Sequence, residues 1–374
     1  MGAASGIGGD SKASLAAGRG KRDNTASVTA GQAVSLSAPT PTEPPALRRP
    51  PGPLFAALDL GTNNCRMLLA APQGDGFRVL DSFSRVVRLG EGLHRTGRLS
   101  DEGIARALSA LSACAERLAR RPIQGARAVA TEACRQATNG AAFLRRARSE
   151  TGLPIELISP REEAGLALES CAGLLTGGPR RALLFDIGGG STEIAWVRID
   201  PPGEAVMIGY LSVPVGVVTM ADRFGLDAGQ SDAGFAAMAT DFAARLTGFE
   251  SVHCINQEIR QGGVFLLGTS GTVTTLAGQA LKLPRYQRDL VDGTILPIEV
   301  ADDALTRLRG LGRAGLDEHP CIGPERADYV LPGCAIFAAI RHVWPAPQLI
   351  VADRGLREGM LLRLIRAHRA RRFR

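Results

Sequence analysis

The sequence predicts an α/β fold built from two related halves with a ligand cleft between them. Strand-like apolar segments alternate with helix-like segments from residue 54 to the C-terminal region. A pair of strands joined by a turn that contains Asp and Gly occurs twice, at Asp59 and at Asp186, which indicates a diverged internal repeat. The chain has 374 residues, enough for two domains that each bury a core.

The first half reads as strands followed by helices. Segments 54–60 and 65–71 predict strands joined by the turn Gly-Thr-Asn-Asn, and segment 77–89 predicts a third strand. Ser100 is a suitable N-cap for a helix that extends to about residue 120. Its apolar positions recur at helical spacing: Ile104, Leu108, Leu111, Ala115 and Leu118. The half then continues with strand 127–131, a helix through 143–144, strand 155–159 and a helix from residue 160.

The second half repeats the strand–turn–strand pattern. Segments 181–185 and 193–197 predict strands on either side of the turn Asp-Ile-Gly-Gly-Gly-Ser-Thr. Segment 264–267 predicts a buried strand before Gly-Thr-Ser-Gly-Thr and a helix, and segment 348–352 a last strand before a C-terminal helix. Strands interleaved with helices in both halves favour sheets that are covered by helices.

Three boundaries divide the chain. Residues 1–52, rich in Gly, Ala, Ser, Thr and Pro, are predicted to be a disordered tail, because they offer little apolar area to bury. We expect a first domain over 53–180 and a second over 181–353. The last helix, about 354–374, is expected to pack back on the first domain.

The net charge of +7, from 44 basic and 37 acidic residues, suggests a polyanionic partner. The excess lies at the ends, because residues 1–50 carry +3, residues 361–374 carry +6 and the stretch between them carries −2. A near-neutral body argues against a nucleic acid polymer as the partner.

Composition excludes several classes of protein. The chain has no run of 18 apolar residues, so neither a transmembrane helix nor a membrane partner is expected. The N-terminus lacks the apolar core of a secretory signal, but because it contains Arg, a transit peptide stays open. The chain has seven Cys and no C-x-x-C pair, a cysteine pattern that fits a reducing, cytoplasmic location. The chain has only three Lys, and none of them lies in a P-loop motif, which excludes a P-loop NTPase.

The two Asp-Gly turns are candidate phosphate sites. In the first, Asp59 ends a strand and Gly61 lets backbone amides approach an anion, although an isolated turn of this kind is equally typical of a plain hairpin. In the second, three glycines expose amides, two hydroxyl residues follow, and Asp186 and Glu193 flank the turn as oxygen ligands suited to Mg²⁺. The residues that would contact phosphate there are Gly188, Gly189, Gly190, Ser191 and Thr192.

Two further motifs precede helices. Ser159 is a good N-cap, and Glu162 three residues later completes a capping box, which leaves Glu163 free to act as a general base on a water molecule. A solvated acidic helix start is the alternative. The motif Gly268-Thr269-Ser270-Gly271-Thr272 resembles a nucleophile elbow but ends in Thr, so we interpret it as an anion site at a helix N-terminus rather than a serine hydrolase site. A plain strand–helix turn is the alternative.

Seven ordered segments between about Phe55 and Leu362 resemble the exopolyphosphatase / guanosine pentaphosphate phosphohydrolase family. They read ALDLGTNNCRMLL, LGEGLHRTGRLS, AVATEACRQATN, LISPREEAGLA, LLFDIGGGSTEIA, LLGTSGTVTTLAG and VADRGLREGMLL. The resemblance implies two ribonuclease-H-like domains of the actin, sugar kinase and chaperone ATPase superfamily. It also implies hydrolysis of terminal phosphoanhydrides assisted by Mg²⁺ or another divalent cation.

The resemblance assigns roles to residues at matching positions. Glu163 is the catalytic glutamate, and Asp186 and Glu193 are the metal ligands. The residues that would bind substrate phosphates are Asp59, Gly61, Thr62, Asn63, Arg135, the second-turn residues 188–192, Gly268, Ser270 and Gly271. Many relatives carry Ser and His where this chain has Asn64 and Arg66, and the C-terminal helical domains of longer relatives have no counterpart here, so processive action on long polymers is doubtful.

Release of terminal phosphate from inorganic polyphosphate is the predicted activity. Removal of the 5′ γ-phosphate of guanosine pentaphosphate is the alternative, because the same residues would serve both substrates. An ATP-dependent small-molecule kinase of the same superfamily is less favoured, since it would not need Glu163 or Glu193. The sequence leaves a homodimer open.

Overall fold

The computed structural model describes residues 52–372. The predicted tail, residues 1–52, lies outside the described residues except for Gly52. Within the described range the chain forms two mixed sheets and their covering helices.

The first sheet has five strands in the order β3-β2-β1-β4-β5. β2 pairs antiparallel with both β1 and β3, whereas β4 is parallel to β1 and β5 is parallel to β4. The strands are β1 Leu54–Leu60, β2 Asn64–Gln73, β3 Gly76–Val86, β4 Ile123–Ala130 and β5 Ile155–Leu157. The first Asp-Gly turn therefore joins two adjacent antiparallel strands, as predicted.

The second sheet has the order β10-β11-β9-β6-β7-β8. Its β8-β7-β6-β9-β11 part repeats the order and directions of the first sheet, with antiparallel β6–β7 and β7–β8 pairs and parallel β9 and β11. The strands are β6 Arg181–Ile187, β7 Thr192–Asp200, β8 Glu204–Val213, β9 Val264–Thr269, β10 Ile295–Pro297 and β11 Gln348–Ala352. The repeat seen in the sequence is therefore a repeat of topology.

Helices cover both sheets. In the first half they are α1 Leu93–Thr96, α2 Asp101–Ala119, α3 Glu132–Gln136, α4 Gly140–Thr151 and α5 Pro160–Cys171, followed by a 3₁₀ turn at Ala172–Leu174. In the second half they are α6 Val217–Phe224, a 3₁₀ turn at Ala228–Gln230, α7 Asp232–Ala244, α8 Thr247–His253, α9 Ile255–Gln261, α10 Gly271–Ala280, α11 Arg288–Val291, α12 Ile298–Gly310, α13 Gly312–Asp317 and α14 Pro324–Val343. The last helix is α15 Leu356–Arg372.

The predicted helix after Ser100 is confirmed as α2. The Ser100 hydroxyl accepts a hydrogen bond from the Gly103 amide at 3.1 Å, which satisfies one of the free donors of the first turn. Ile104, Leu108 and Leu111 are buried against the first sheet. The helical spacing of these apolar residues therefore sets the face that α2 presents to the core.

The largest apolar core lies between the second sheet and its helices. Phe185 on β6 meets Phe337 on α14 with ring centroids 6.1 Å apart. Trp344, just after α14, is fully buried and donates its indole N–H to Glu250 Oε2 at 2.7 Å. β6 and β9 both contribute buried side chains to this core, and both strands lead into the turns described below.

The last helix, α15, packs on β1 and α5. Met360, Leu361 and Ile365 are buried in a cluster with Phe55 and Leu166. Gly359 lies against α5 so closely that a methyl group there would overlap the Leu166 carbonyl. The C-terminal segment of the chain therefore completes the core beneath the first sheet.

We predict that Gly359→Ala destabilises the protein by about 1–3 kcal/mol, the usual cost of overpacking a well-packed contact. Urea unfolding followed by circular dichroism measures this. The matched control is Gly248→Ala in α8, where nothing lies within 4 Å of the added methyl group. That change should be neutral or slightly stabilising, because Ala favours a helix more than Gly does. Equal effects of the two changes would contradict the packing argument.

Candidate active site

A cleft of about 1010 Å³ lies where parallel strands of the two sheets end. Five strand ends contribute a residue to its wall: Asp59 on β1, Thr131 after β4, Asp186 on β6, Thr269 on β9 and Asp353 after β11. Ligand sites of α/β proteins gather at the carboxyl ends of strands, because loops and free helix N-termini converge there. The topology alone therefore places the predicted motifs in one cavity.

The first turn is fixed by its own backbone and by the segment that follows β3. The Gly61 amide bonds to the Asn64 carbonyl at 2.9 Å, and the Asn63 carbonyl accepts from the amides of Val87 and Arg88 at 2.8 and 3.0 Å. Gly61, Thr62 and Asn63 all line the cleft. The turn is thus a rigid wall of the cavity.

The second turn contacts the first directly. A methyl group on Gly190 would lie 2.5 Å from Thr62 Oγ1, and one on Gly189 would lie 3.1 Å from Thr62 Cβ. The two halves of the fold can therefore approach this closely only because these positions lack side chains. The sequence indicated that these glycines expose backbone amides to a ligand. The close approach of the two turns is a second reason for glycine at these positions, and the sequence did not reveal it.

Most of the predicted site residues line the cleft. They are Asp59, Gly61, Thr62, Asn63, Glu163, Asp186, Gly188, Gly189, Gly190, Ser191, Ser270 and Gly271. Four others do not: Arg135, Thr192, Glu193 and Gly268.

Two of these four have structural contacts instead. The Thr192 hydroxyl is fully buried and donates to the Val215 carbonyl at 2.8 Å. Gly268 lies against the ring of Phe185: a methyl group on Gly268 would lie 2.6 Å from Phe185 Cζ. The prediction that both bind phosphate is therefore not supported by their positions, because core packing engages each of them.

Ser270 retains the arrangement expected of an anion site at a helix N-terminus. It is the N-cap of α10 and has φ 116°, a backbone conformation that non-glycine residues rarely adopt. Its hydroxyl oxygen is buried and has no hydrogen-bond partner among the described residues. Strain and an unpaired hydroxyl at a cleft wall are typical of a residue held for a ligand.

Buried carboxylates crowd the floor of the cleft. Asp186 and Glu193 are directly opposite each other on β6 and β7. Burial raises the pKa of Asp186 to about 6, and the charge of Asp59 adds to this. Burial likewise raises the pKa of Glu193 to about 7, although the hydroxyls of Ser191 and Ser212 donate to its Oε1 at 2.7 and 3.1 Å.

These carboxylates fit a divalent cation. Asp59 Oδ1 is buried without a hydrogen-bond partner within the described part of the chain, and burial raises the pKa of this group. Asp59 and Asp186 both line the cleft, whereas Glu193 is held behind it. Residues 52–372 contain no cluster of three or more His, Cys, Asp or Glu able to hold a metal ion, so substrate oxygens would have to complete the coordination, as is usual for Mg²⁺.

Glu163 lies in the first turn of α5. The Ser159 N-cap is confirmed, since its hydroxyl accepts from the Glu162 amide at 3.2 Å. The second half of the predicted capping box is wrong, because the Glu162 carboxylate accepts from the Arg127 guanidinium at 2.8 Å instead. Burial, together with the charge of Glu193, raises the pKa of Glu163 well above its ordinary value. A carboxylate of this kind is suited to accept a proton near neutral pH.

Arg135 is not placed as a phosphate ligand. It lies behind Glu163 and donates from Nη1 to Glu163 Oε2 at 2.8 Å and from Nε to Glu132 Oε2 at 2.9 Å. Two neighbouring carboxylates therefore engage the guanidinium that was expected to face the substrate. Glu132 itself lines the cleft. This residue was not identified from the sequence, although its i, i+3 spacing from Arg135 suits an ion pair on one helix face.

Arginines that the sequence did not assign to the site also line the cleft, among them Arg66, Arg326 and Arg357. Burial and the charge of Arg357 lower the pKa of Arg66, and burial lowers that of Arg326. Because 41 of the 44 basic residues are Arg, only their convergence in space distinguishes these three. Their charges give the cleft a basic wall suited to an anionic ligand.

A family model confirms the resemblance carried by the motifs. The model of the Ppx/GppA phosphatase family matches residues 69–368. The chain belongs to the Ppx/GppA phosphatase family. It is therefore an enzyme, a phosphoanhydride hydrolase.

Solved structures resemble this Ppx/GppA phosphatase over most of its length. An exopolyphosphatase-like protein is 28% identical, with a TM-score of 0.72 over 83% of this chain and 97% of the other. A family member from Aquifex aeolicus is 24% identical, with a TM-score of 0.67 over 84% and 98%. An exopolyphosphatase from Cytophaga hutchinsonii is 22% identical, with a TM-score of 0.73 over 84% and 98%.

These neighbours confirm the predicted fold class for this Ppx/GppA phosphatase. It is an α/β protein with duplicated ribonuclease-H-like domains, which agrees with the repeated strand order of the two sheets. Among the residues that the structure describes, no helix combines the length and apolar character needed to cross a membrane.

We predict that Mg²⁺ stabilises this phosphatase at pH 8 but hardly at pH 5. Carboxylates with raised pKa values favour the fold while protonated, so without a cation stability falls as the pH rises from about 4 through about 6 for Asp186 and about 7 for Glu193. A bound cation offsets this loss, by about 2.7 kcal/mol when its concentration is 100 times its Kd.

The melting temperature by calorimetry, with and without MgCl₂ at matched ionic strength, measures this effect. Asp59→Asn, which removes one charge from the proposed cation site, should reduce the Mg²⁺-dependent rise at pH 8. An equal rise at pH 5 and pH 8 would contradict a carboxylate site in the cleft.

Proposed function

We propose that this phosphatase releases the terminal phosphate of inorganic polyphosphate by water attack, with Glu163 as the general base. The observation that carries the proposal is the position of Glu163. It is a buried carboxylate with a raised pKa, in the wall of the same cleft as both glycine turns. A base there can reach a water molecule that faces a phosphorus atom held by the turns.

The substrate phosphates would bind to backbone amides and a basic wall. The two glycine turns and the N-terminus of α10 line the cleft, and amides that are not bonded within the turns would donate to phosphate oxygens. Arg66, Arg326 and Arg357 line the same cavity and offset the repeated negative charges of a polyphosphate chain. A cleft of about 1010 Å³ holds more than the terminal phosphate, so the adjoining phosphates lie inside it as well.

The reaction breaks one phosphoanhydride bond. Glu163 takes a proton from water as the water oxygen forms a bond to the terminal phosphorus. The bond from that phosphorus to the bridging oxygen breaks, its electron pair leaves with the shortened chain, and orthophosphate is released. Amides that already face the cleft stabilise the growing charge without reorganising.

A divalent cation would be held by Asp59 and Asp186, the two aspartates that line the cleft. When bound, it would neutralise charge on the substrate oxygens. Glu193, behind the second turn, would support the site through its charge rather than as a direct ligand.

Guanosine pentaphosphate is the second candidate substrate. Tyr286 and Tyr329 line the same cleft, and aromatic side chains are suited to stack on a nucleobase. The phosphate chemistry at Glu163 would be the same for both substrates. The kinase alternative is not favoured, because the family is one of phosphatases.

We predict orthophosphate release from short-chain polyphosphate without any added nucleotide. The measurement compares polyphosphate with guanosine pentaphosphate at equal concentrations of terminal phosphate, using a colorimetric phosphate assay with Mg²⁺. A kcat/KM for guanosine pentaphosphate at least tenfold above that for polyphosphate would favour the second candidate. Release that requires an added phosphoryl acceptor would contradict hydrolysis altogether.

We predict that Glu163→Gln lowers kcat by about 10²–10⁴, the usual contribution of a general base, while KM changes little. The matched control is Glu162→Gln, which alters the neighbouring residue of α5 but not the cleft wall, because Glu162 pairs with Arg127. The control should keep nearly full activity. A Glu163→Gln variant as fast as the wild type would show that the role assigned to Glu163 is wrong.

A further inference from the structure

The contacts of Arg135 leave it no exposed donor for a substrate. Its side chain is 14% exposed, and its guanidinium bonds to Glu132 through Nε, and to the Ile158 carbonyl and Glu163 through Nη1. Nη2 lies 2.7 Å from Glu132 Oε2, and it is buried and makes no well-aligned hydrogen bond within the described residues. A phosphate in the cleft cannot reach this guanidinium while the carboxylates stand in front of it.

Glu132 holds the other side of Arg135. It is 8% exposed and lines the cleft. Its Oε1 accepts from Gln136 Nε2 at 2.5 Å, while its Oε2 faces Arg135. Its Cγ lies 3.3 Å from the position that a methyl group on Gly190 would occupy. Glu132 therefore connects the guanidinium to the second glycine turn.

The hydrogen bond from Arg135 also fixes which oxygen of Glu163 is free. Oε2 is engaged at 2.8 Å, whereas no hydrogen bond within the described part of the chain engages Oε1. A carboxylate held by one oxygen presents the other in a constant direction. This is the condition for a base that must meet a water molecule in one place, since a displacement of about 1 Å can cost about 10²-fold in rate.

We propose that Arg135 and Glu132 are positioning residues: Arg135 orients the Glu163 carboxylate, and Glu132 fixes Arg135 against the second glycine turn. The proposal rests on the proposed role of Glu163 in water activation. It differs from the role that the family resemblance gave to Arg135, because a positioning residue acts on the rate of the chemical step and a phosphate ligand acts on substrate binding as well.

The test separates kcat from KM. Arg135→Gln should lower kcat by about 10-fold to 10²-fold while KM for short-chain polyphosphate stays within about twofold. Arg135→Lys, which keeps a positive charge beside both carboxylates, should recover part of kcat and also guards against loss of folding. Glu132→Gln should lower kcat less than Arg135→Gln does, because Arg135 keeps its bond to Glu163.

The double variant gives a second measurement. Since Glu132 acts through Arg135, adding Glu132→Gln to Arg135→Gln should cost little further activity, whereas independent residues would have additive effects. The matched control is Arg127→Gln. Arg127 also bridges two glutamates, Glu156 and Glu162, beside α5 but outside the cleft wall, and its loss should leave kcat and KM nearly unchanged.

Two results would overturn the proposal. In the first, Arg135→Gln raises KM tenfold or more with kcat unchanged, as expected of a phosphate ligand. In the second, Arg127→Gln lowers kcat as much as Arg135→Gln, as expected if any ion pair beside α5 suffices. If wild-type protein hydrolyses guanosine pentaphosphate but not polyphosphate, the proposed substrate is wrong. The same kcat and KM comparison on guanosine pentaphosphate then still tests the positioning of Glu163.

Discussion

The crowding of like charges in one buried cleft is the constraint on which the site depends. Burial raises the pKa values of Asp59, Glu163, Asp186 and Glu193, and repulsion from a neighbouring carboxylate of this set adds to the shift of the last three. Such an arrangement costs stability unless each charge has a partner. Arg135 and two serine hydroxyls compensate Glu163 and Glu193. The aspartates have weaker compensation within the described residues, which is why a cation and an anionic substrate fit the remaining space.

A second constraint is the contact between the two glycine turns. The repeated halves of the fold each end a strand in an Asp-Gly turn, and the turns meet where Gly190 lies against Thr62. Because that contact leaves no room for a side chain on Gly190, the backbones of both turns lie together in the wall of the cleft. Glu132 and Arg135 link the second turn to the base at Glu163. Phosphate binding and water activation therefore share one set of contacts.

Local signals in the sequence predicted the parts of the fold that local chemistry determines. The Ser100 cap and apolar spacing located α2, and the two Asp-Gly turns located the repeated strand pairs. The roles of Arg135 and Glu162 could not be predicted in this way. The segments that hold these residues contain several charged side chains. Which carboxylate an arginine contacts therefore depends on how β4, α3 and α5 pack together. The core contacts of Gly268 and Thr192 could not be predicted for the same reason, because a motif does not reveal which of its members face the core.

The central claim is that a water molecule activated beside Glu163 attacks the terminal phosphorus. A single turnover of polyphosphate in water enriched in ¹⁸O tests it most directly, with the products separated and analysed by mass spectrometry. Attack at the terminal phosphorus places one ¹⁸O atom in the released orthophosphate and none in the shortened chain. Label in the shortened chain would place the attack at the penultimate phosphorus and would contradict the geometry assigned to the cleft.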